Sequence, residues 1–271
     1  MSVELYPHPS GAQLEYQTFG RGKNYLICFH GFAQDGNSFK FLEDQLEGQY
    51  TIIAVRLFYH GSSSRADNVQ MYLKIPEWKE IFSDFLSFLK IEQFSILAYS
   101  MGGRFAISTF YSFSNQIDHL ILGAADGIIR RFWYEFATFP VGLRQLFHYL
   151  MINPKPFFAV LHFLSSIKVM NKSVIKFATT QLQKKEQRLL VYQTWVAFKH
   201  FRVPQAELIE LLNDSTCQSL IIFGKKDRII DPKAHTAFLS GLTHSEVHVL
   251  DHGHNKLLEY ADEVIVSALK G

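Results

Sequence analysis

The sequence predicts an α/β protein with a doubly wound, mostly parallel sheet and a helical cap insertion. Short apolar runs alternate with amphipathic helical stretches along most of the 271 residues, and this rhythm breaks once, in the middle of the chain. The apolar runs are rich in Ile, Leu and Val rather than strictly alternating, which is typical of strands covered on both faces. We therefore expect a core formed by residues 1–127 and 206–271, with a cap formed by residues 128–205.

The strands and helices of the expected core follow one another in a regular order. The opening SVELYPHPSGAQLEYQTFG predicts a hairpin with its turn near Pro9–Gly11, which would form an antiparallel edge. The further strand candidates are residues 24–30, 50–57, 94–100, 118–125, 219–225 and 246–251. Helical patterns cover residues 76–90, where Pro76 suits a first turn, and residues 233–241 and 255–270. Parallel strands joined by helices predict a doubly wound sheet.

Composition narrows the class of protein. Apolar residues make up 48% of the chain and charged residues 19%, so a sizeable core can form. No apolar run approaches the roughly 18 residues of a membrane-spanning helix, and the N-terminus has no signal-peptide pattern. Cys28 and Cys217 each lie in an apolar run, which favours buried thiols over a disulfide or a metal pair. We expect a cytoplasmic protein without a metal or cofactor, and no nucleic-acid motif is present.

Polar motifs follow the ends of the predicted strands. They are HGFAQDG (30–36), YHGSSS (59–64), YSMGG (99–103), GKKDRIIDP (224–232) and DHGHN (251–255). In an open α/β sheet, ligands gather beyond the carboxyl ends of the strands. The sequence therefore predicts a functional site built from these five loops.

Ser100 stands between a predicted strand and a predicted helix, with Gly102 and Gly103 behind it. An ordinary strand–helix loop with a capping serine is one interpretation. The other is a nucleophile elbow, in which a sharp turn exposes the hydroxyl above the sheet. A serine nucleophile needs a base and an acid that orients the base.

In the order serine, aspartate, histidine, the motifs resemble those of the α/β-hydrolase family along nearly the whole chain. HGF is similar to the oxyanion loop, AYSMGG to the elbow, FGKKDRIIDP to the acid turn and GHNKLLE to the histidine loop. The resemblance implies that Ser100 is the nucleophile and that the backbone N–H groups of Phe32 and Met101 form an oxyanion hole. The family usually has glycine where Ala98 stands.

Three aspartates and two histidines compete for the other catalytic roles. Asp227, with a glycine three residues before it and a proline five after it, resembles the family's acid. Asp231 suits a turn or helix start, and Asp126 follows the strand that supplies the acid in some relatives. His254 resembles the family's base, and His252 would line the loop beside it.

The loop RLFYHGSSS departs from the family pattern. Relatives commonly have an aspartate where Arg56 or Leu57 stands and a glycine where Tyr59 stands. We expect His60 and Gly61 to shape this loop without taking part in catalysis.

The middle segment is strongly basic and aromatic. Residues 130–205 hold 12 Lys+Arg and 2 Asp+Glu, a net charge of +10, whereas the rest of the chain carries −8. A cap of this kind would close the active site over an amphipathic anion, such as an acyl thioester, a fatty acid ester or an aromatic carboxylate. Contact with an anionic membrane surface is an alternative, and so is a solvated face of lysines over an aromatic core.

The resemblance implies a serine hydrolase that cleaves a small-molecule ester or thioester through an acyl-enzyme. One alternative is a lyase of the menaquinone pathway, because SMGGR is similar to the elbow of those enzymes, in which matching residues hold substrate carboxylates. The candidate substrate-binding residues are Tyr99, Arg104, Arg130 or Arg131, and Trp195 of the aromatic segment. A non-catalytic binding protein of the same fold is a further alternative. Ser100 excludes the relatives that use an aspartate nucleophile.

Overall fold

The computed structural model describes residues 3–66, 72–130, 132–167, 175 and 179–270. It has two compact units. The core unit comprises Met1–Gln70, Lys74–Ile129 and Phe201–Gly271, and the helical unit comprises Met71–Leu73 and Arg130–His200. Tyr72 and Leu73 belong to the helical unit, where the amide of Leu73 donates to the carbonyl of Ala197 at 2.8 Å. The expected cap boundaries, at 127/128 and 205/206, lie two to five residues from those of the helical unit.

The core unit contains an eight-stranded sheet. Its strands are β1 (Val3–Pro7), β2 (Gln13–Phe19), β3 (Asn24–Phe29), β4 (Tyr50–Val55), β5 (Phe94–Tyr99), β6 (Ile117–Gly123), β7 (Gln218–Gly224) and β8 (Glu246–Leu250). The spatial order is β1-β2-β4-β3-β5-β6-β7-β8. β2 pairs antiparallel with β1 and β4, and the remaining pairs are parallel. The predicted fold class, with its antiparallel opening hairpin, is confirmed.

The helices are numbered in chain order. They are α1 (Ile75–Leu89), α2 (Gly102–Phe113), α3 (Phe132–Thr138), α4 (Val141–Ile152), α5 (Pro154–Ser166), α6 (Lys185–Ala197), α7 (Gln205–Asp214), α8 (Thr236–Leu239) and α9 (Asp262–Lys270). Helices α3 to α6 lie in the helical unit, and the others lie in the core unit. None of the helices in the described ranges is long and apolar enough to cross a membrane.

Two of the helices differ from the sequence prediction. The predicted helix over 255–270 begins only at Asp262, after turns and a short 3-10 helix at Glu259–Ala261. Lys256 adopts a left-handed φ of +60°, which interrupts a helix at this point. The predicted helix over 233–241 is a 3-10 turn at Pro232–His235 followed by the four-residue α8.

A packed aromatic core joins α1, β3 and α2 around β5. Every residue of β5 is buried. Trp78 of α1 is fully buried against Phe29 of β3 and Phe105 of α2, with ring centroids 6.1 and 5.0 Å away. The indole N–H of Trp78 donates to the Oγ1 of Thr109 at 2.9 Å. These contacts hold α2 against β3, and they fix the point where β5 passes into α2.

The helical unit has a small aromatic core of its own. Phe147 of α4 packs against Tyr192 and Trp195 of α6, with ring centroids 5.6 and 5.5 Å away. Arg188 is buried, and its Nε donates to the carbonyl of Met151 at the end of α4, at 2.8 Å. Because that carbonyl has no partner within the helix, the contact caps α4 and ties it to α6.

Candidate active site

Ser100 occupies the turn between β5 and α2. Its φ of +51° lies in the left-handed region, which costs a residue with a side chain on the order of 1–2 kcal/mol. The backbone around it compensates through hydrogen bonds. The amide of Ser100 donates to the carbonyl of Gly123 at 3.0 Å, and its own carbonyl accepts from Gly103 at 2.9 Å and from Asp126 at 2.8 Å. This strand–turn–helix geometry is that of a nucleophile elbow.

The two glycines after Ser100 permit close backbone approach. A Cβ on Gly102 would lie 2.1 Å from the carbonyl oxygen of Phe29 in β3. A Cβ on Gly103 would lie 2.5 Å from the Cβ of Ala125. Since real Cβ atoms do not approach other atoms so closely, a side chain at either position would push α2 away from the sheet.

Ser100, His254 and Asp227 form one continuous chain of hydrogen bonds. The Oγ of Ser100 lies 3.0 Å from the Nε2 of His254, and the Nδ1 of His254 lies 2.6 Å from the Oδ2 of Asp227. The other carboxylate oxygen of Asp227 accepts from the amides of Ile229 and Ile230 at 2.7 and 2.9 Å. Asp227 is 1% exposed. The carboxylate is therefore held rigidly, and His254 can accept a proton from the serine hydroxyl.

The other two aspartates have different partners. Asp126 lies beside Arg104, with its Oδ2 2.7 Å from the Nε of that buried arginine. Asp231 begins the 3-10 helix after β7, and its side chain accepts from the amide of Lys233 at 3.0 Å. Arg104, a predicted substrate-binding residue, is thus paired with a carboxylate of the chain itself.

His252 lies in the same loop as His254 and faces a different neighbour. Its ring stacks on Tyr260 with a centroid separation of 3.8 Å and an interplanar angle of 8°. Its carbonyl accepts from the amide of Lys226 at 2.9 Å, which joins the loop to the turn that carries Asp227.

Tyr99 links β5, the strand before Ser100, to the loop that carries His254. Its buried hydroxyl donates to the backbone carbonyl of His254. The two rings lie 5.2 Å apart at an angle of 31°. Burial raises the pKa of the Tyr99 phenol, and the nearby charge of Asp227 raises it further, so the hydroxyl stays a neutral donor. The resemblance implied a substrate contact for Tyr99, whereas in the structure its hydroxyl binds His254.

Two buried histidines hold the loop that follows β3. The Nδ1 of His30 donates to the carbonyl of Gly31 at 2.7 Å, and its Nε2 accepts from the amide of Leu57 at 3.1 Å. The Nε2 of His60 accepts from the amide of Ala33 at 3.1 Å. Burial is the main cause that lowers the pKa of His30 to about 3 and that of His60 to about 4. Both rings are therefore neutral and can accept an N–H bond.

Sequence reasoning assigned no role to His30 and only a loop-shaping role to His60. The signal that could have found them is their position. Each stands directly before a glycine in a loop that follows a parallel strand.

The amide of Phe32 differs from the amides of Gly31, Ala33 and Gln34 beside it. The amide of Gly31 donates to the side chain of Gln34 at 2.9 Å, and the amide of Gln34 donates to the carbonyl of Gly31 at 3.2 Å. The amide of Ala33 is engaged by His60. Within the described part of the chain, no acceptor is paired with the amide of Phe32 or Met101. These two N–H groups are therefore available to an external oxygen.

The remaining predicted substrate-binding residues lie in the helical unit. The Nε of Arg130, whose side chain is 73% exposed, is 3.8 Å from Glu135. Trp195 packs against Phe147 within that unit. Arg131 lies outside the described residues.

The loop RLFYHGSSS, which departs from the family pattern, has ion pairs and an unusual backbone conformation of its own. Arg56 forms ion pairs with Glu15 at 2.6 Å and Asp35 at 3.1 Å. Tyr59 has a left-handed φ of +71°, at the position where relatives commonly have glycine. Over the ranges that the structure describes, no cluster of three His, Cys, Asp or Glu side chains could hold a metal ion.

Known proteins resemble parts of this chain at low identity. An uncharacterized protein of Mycobacterium tuberculosis is 28% identical over 134 residues, which are 49% of this chain and 38% of that protein. A putative 2-succinyl-6-hydroxy-2,4-cyclohexadiene-1-carboxylate synthase of Bacillus subtilis is 28% identical over 100 residues, which are 36% of this chain and 35% of that protein. The chain thus spans little more than a third of the length of these curated relatives.

Two further matches cover most of the chain, and they show its fold and its family. A solved esterase of Thermogutta terrifontis, in a malate-bound structure, matches with a TM-score of 0.68 and 17% identity, covering 100% of this chain and 97% of that one. At 17% identity, this likeness shows that the two proteins share a fold and nothing more. A family model described as the alpha/beta hydrolase fold matches residues 24–260. The chain therefore belongs to the α/β-hydrolase fold family.

Proposed function

We propose that the protein is a serine hydrolase that cleaves an ester or thioester through an acyl-enzyme intermediate. Ser100 would be the nucleophile, His254 the general base and Asp227 the residue that orients the base. The observation that carries this proposal is the continuous hydrogen-bond chain from Asp227 through His254 to the Oγ of Ser100. Family membership supports the same class of reaction.

Each step of the reaction then has a residue to carry it. His254 accepts the hydroxyl proton while the Oγ of Ser100 attacks the carbonyl carbon, and Asp227 stabilises the imidazolium that forms. The leaving alcohol or thiol takes that proton as the tetrahedral intermediate collapses to the acyl-enzyme. A water molecule, deprotonated by His254, then releases the acid and restores Ser100.

The amides of Phe32 and Met101 would stabilise the negative charge on the substrate oxygen. Support comes from the place of Met101 directly after Ser100 and from the lack of an acceptor for either amide in the described ranges. His30 and His60 fix the loop that carries Phe32. A donor held in place before the reaction gives more stabilisation than one that must reorient.

A small or amphipathic acyl substrate with an anionic group is the substrate class we propose. The net charge of +10 in residues 130–205 favours such a substrate, because a basic surface raises the local concentration of anions. We also propose a cytoplasmic location, with Cys28 and Cys217 kept as thiols, which are buried and unpaired in the structure.

A lyase reaction is the second candidate, favoured by the similarity to the putative synthase of Bacillus subtilis. Two hydrogen bonds within this chain weigh against giving Arg104 and Tyr99 the substrate contacts that the resemblance to such lyases implies. The Nε of Arg104 is engaged by Asp126, and the hydroxyl of Tyr99 is engaged by His254.

A labelling experiment tests the nucleophile and separates an enzyme from a binding protein. We expect a fluorophosphonate probe to react with the wild-type chain at Ser100 and ester hydrolysis to fall by several orders of magnitude in Ser100→Ala. Ser87→Ala, a surface serine of α1, is the matched control and should label and hydrolyse normally. An adduct on another serine, or an active Ser100→Ala variant, would rule out the assignment. Assaying acyl esters, acyl thioesters and the lyase substrate with the same protein distinguishes the two reactions.

A further inference from the structure

Exposed apolar side chains are concentrated in the helical unit. Among the described residues, ten of the 17 large apolar side chains that are exposed lie between residues 132 and 167. Phe132 and Phe163 are the most exposed, at 68% and 61%. Isolated exposed apolar residues are normal, whereas a concentration of them marks an interaction surface.

The exposed side chains follow the helical repeat. On α3, Phe132 and Phe136 are four residues apart, and their rings stack with centroids 5.8 Å apart. On α4, Leu146 and Tyr149 are three residues apart, as are Val160 and Phe163 on α5. Residues at this spacing share one side of a helix. Each helix therefore presents an apolar stripe, and α4 contacts both α3 and α5. We call these six side chains the apolar surface.

The charge of the unit indicates what the apolar surface binds. Residues 130–200 hold 11 Lys+Arg and 2 Asp+Glu. Lys155 on α5 and Lys184 before α6 are exposed. A second copy of the chain would bring the same positive charge against this unit, which disfavours self-association. Anionic lipid headgroups bring the opposite charge, and a helical unit that exposes aromatic and aliphatic residues together with lysines is typical of interfacial membrane binding.

We propose that the apolar surface of the helical unit binds the surface of an anionic lipid bilayer. Its aromatic and aliphatic side chains enter the boundary between headgroups and acyl chains, while Lys155 and Lys184 contact lipid phosphates. This binding is peripheral and spans no membrane. It goes beyond the proposed hydrolase activity, and it does not depend on it.

Vesicle binding by the full chain tests the proposal. We expect sedimentation with vesicles that contain phosphatidylglycerol and much weaker binding to pure phosphatidylcholine, with a loss of affinity at high salt. The double variant Phe132→Ser/Phe163→Ser should weaken partitioning tenfold or more, because two rings no longer enter the bilayer. Phe88→Ser, whose side chain is 55% exposed on α1 of the core unit, is the matched control and should bind as wild type.

Variants that remove a positive charge test the contribution of the lysines to vesicle binding. Lys155→Gln should weaken binding to anionic vesicles about fivefold, and Lys79→Gln, an exposed lysine of α1, should not. Circular dichroism and thermal unfolding establish that all variants are folded, and short-ester hydrolysis reports the active site separately.

Three results would overturn the proposal. The first is no binding to anionic vesicles. The second is binding that the serine substitutions leave unchanged, since charge alone would then explain it. The third is a wild-type dimer in sedimentation velocity that the double variant converts to monomer, because a second copy would then cover the surface.

Discussion

At the scale of single residues, Tyr99 has a more specific role than its position directly before Ser100 indicates. Its hydroxyl is bound to the carbonyl of His254, and its ring lies against the ring of that histidine. A Cβ on Gly31 would lie 2.9 Å from the Tyr99 ring. Tyr99 therefore packs between the loop after β3 and the loop that carries His254, and we infer that it positions the proposed general base.

We predict that Tyr99→Phe lowers kcat for a small neutral ester about 3- to 10-fold and leaves KM nearly unchanged. The loss corresponds to one hydrogen bond of about 0.5–1.5 kcal/mol that holds His254. Steady-state kinetics measure both constants. Tyr16→Phe is the matched control, because that buried phenol lies in β2 and donates to Glu4 of β1. A rise in KM at constant kcat would instead return Tyr99 to the substrate-binding role that the resemblance implied.

At the scale of elements, the junction of β3, β5 and α2 determines the position of Ser100, the proposed nucleophile. α2 begins at Gly102, whose backbone lies against the carbonyl of Phe29. The aromatic packing of Trp78 on Phe105 joins α2 to α1. Both contacts oppose a shift of α2.

We predict that Gly102→Ala destabilises the fold by about 1–3 kcal/mol and reduces turnover by about two orders of magnitude. The new Cβ would meet backbone at 2.1 Å, so α2 must move, and a displacement near 1 Å at the nucleophile has that kinetic cost. Urea denaturation and ester hydrolysis measure the two effects. Gly142→Ala, in the first turn of α4, would meet no atom within 4 Å and should lower neither quantity, because alanine favours a helix more than glycine does. A fully active Gly102→Ala variant would contradict the close-approach explanation.

At the scale of the whole molecule, two buried histidines in the loops of the candidate site make the stability of the fold depend on pH. His30 and His60 are neutral in the folded chain, with pKa values lowered to about 3 and about 4 from the ordinary 6.5. Below pH 6.5 the unfolded chain binds protons at these positions and the folded chain does not. Stability is therefore complete above pH 6.5 and is lost as the pH falls towards the folded values.

We predict that the free energy of unfolding falls between pH 6.5 and about 4 by roughly 1.4 kcal/mol per pH unit for each buried histidine. Urea denaturation followed by circular dichroism at several pH values measures the slope. His60→Gln keeps an acceptor for Ala33 and removes one titrating group, so the slope should be markedly smaller. His244→Gln, an exposed histidine before β8, should leave the slope unchanged. Equal slopes for wild type and His60→Gln would contradict the prediction.

The sequence by itself determined the fold class, the order of the strands along the chain and the order of the polar motifs. Local patterns are sufficient for these features, because strands buried on both faces require continuous apolar runs and a sharp turn requires small residues. Ser100 could be singled out in this way, since its neighbours Gly102 and Gly103 mark the turn. The family match confirms the resemblance that these motifs carried.

Tertiary structure decided the features that depend on partners distant in the chain. Asp126 and Asp227 both follow parallel strands, and only the folded chain sets one beside Arg104 and the other beside His254. The contact between Tyr99 and His254 joins residues 155 positions apart, and no local pattern encodes it. The late start of α9 has the same cause. The loop before it is held by long-range hydrogen bonds to β5 and to the turn after β7, and these override the local preference for helix.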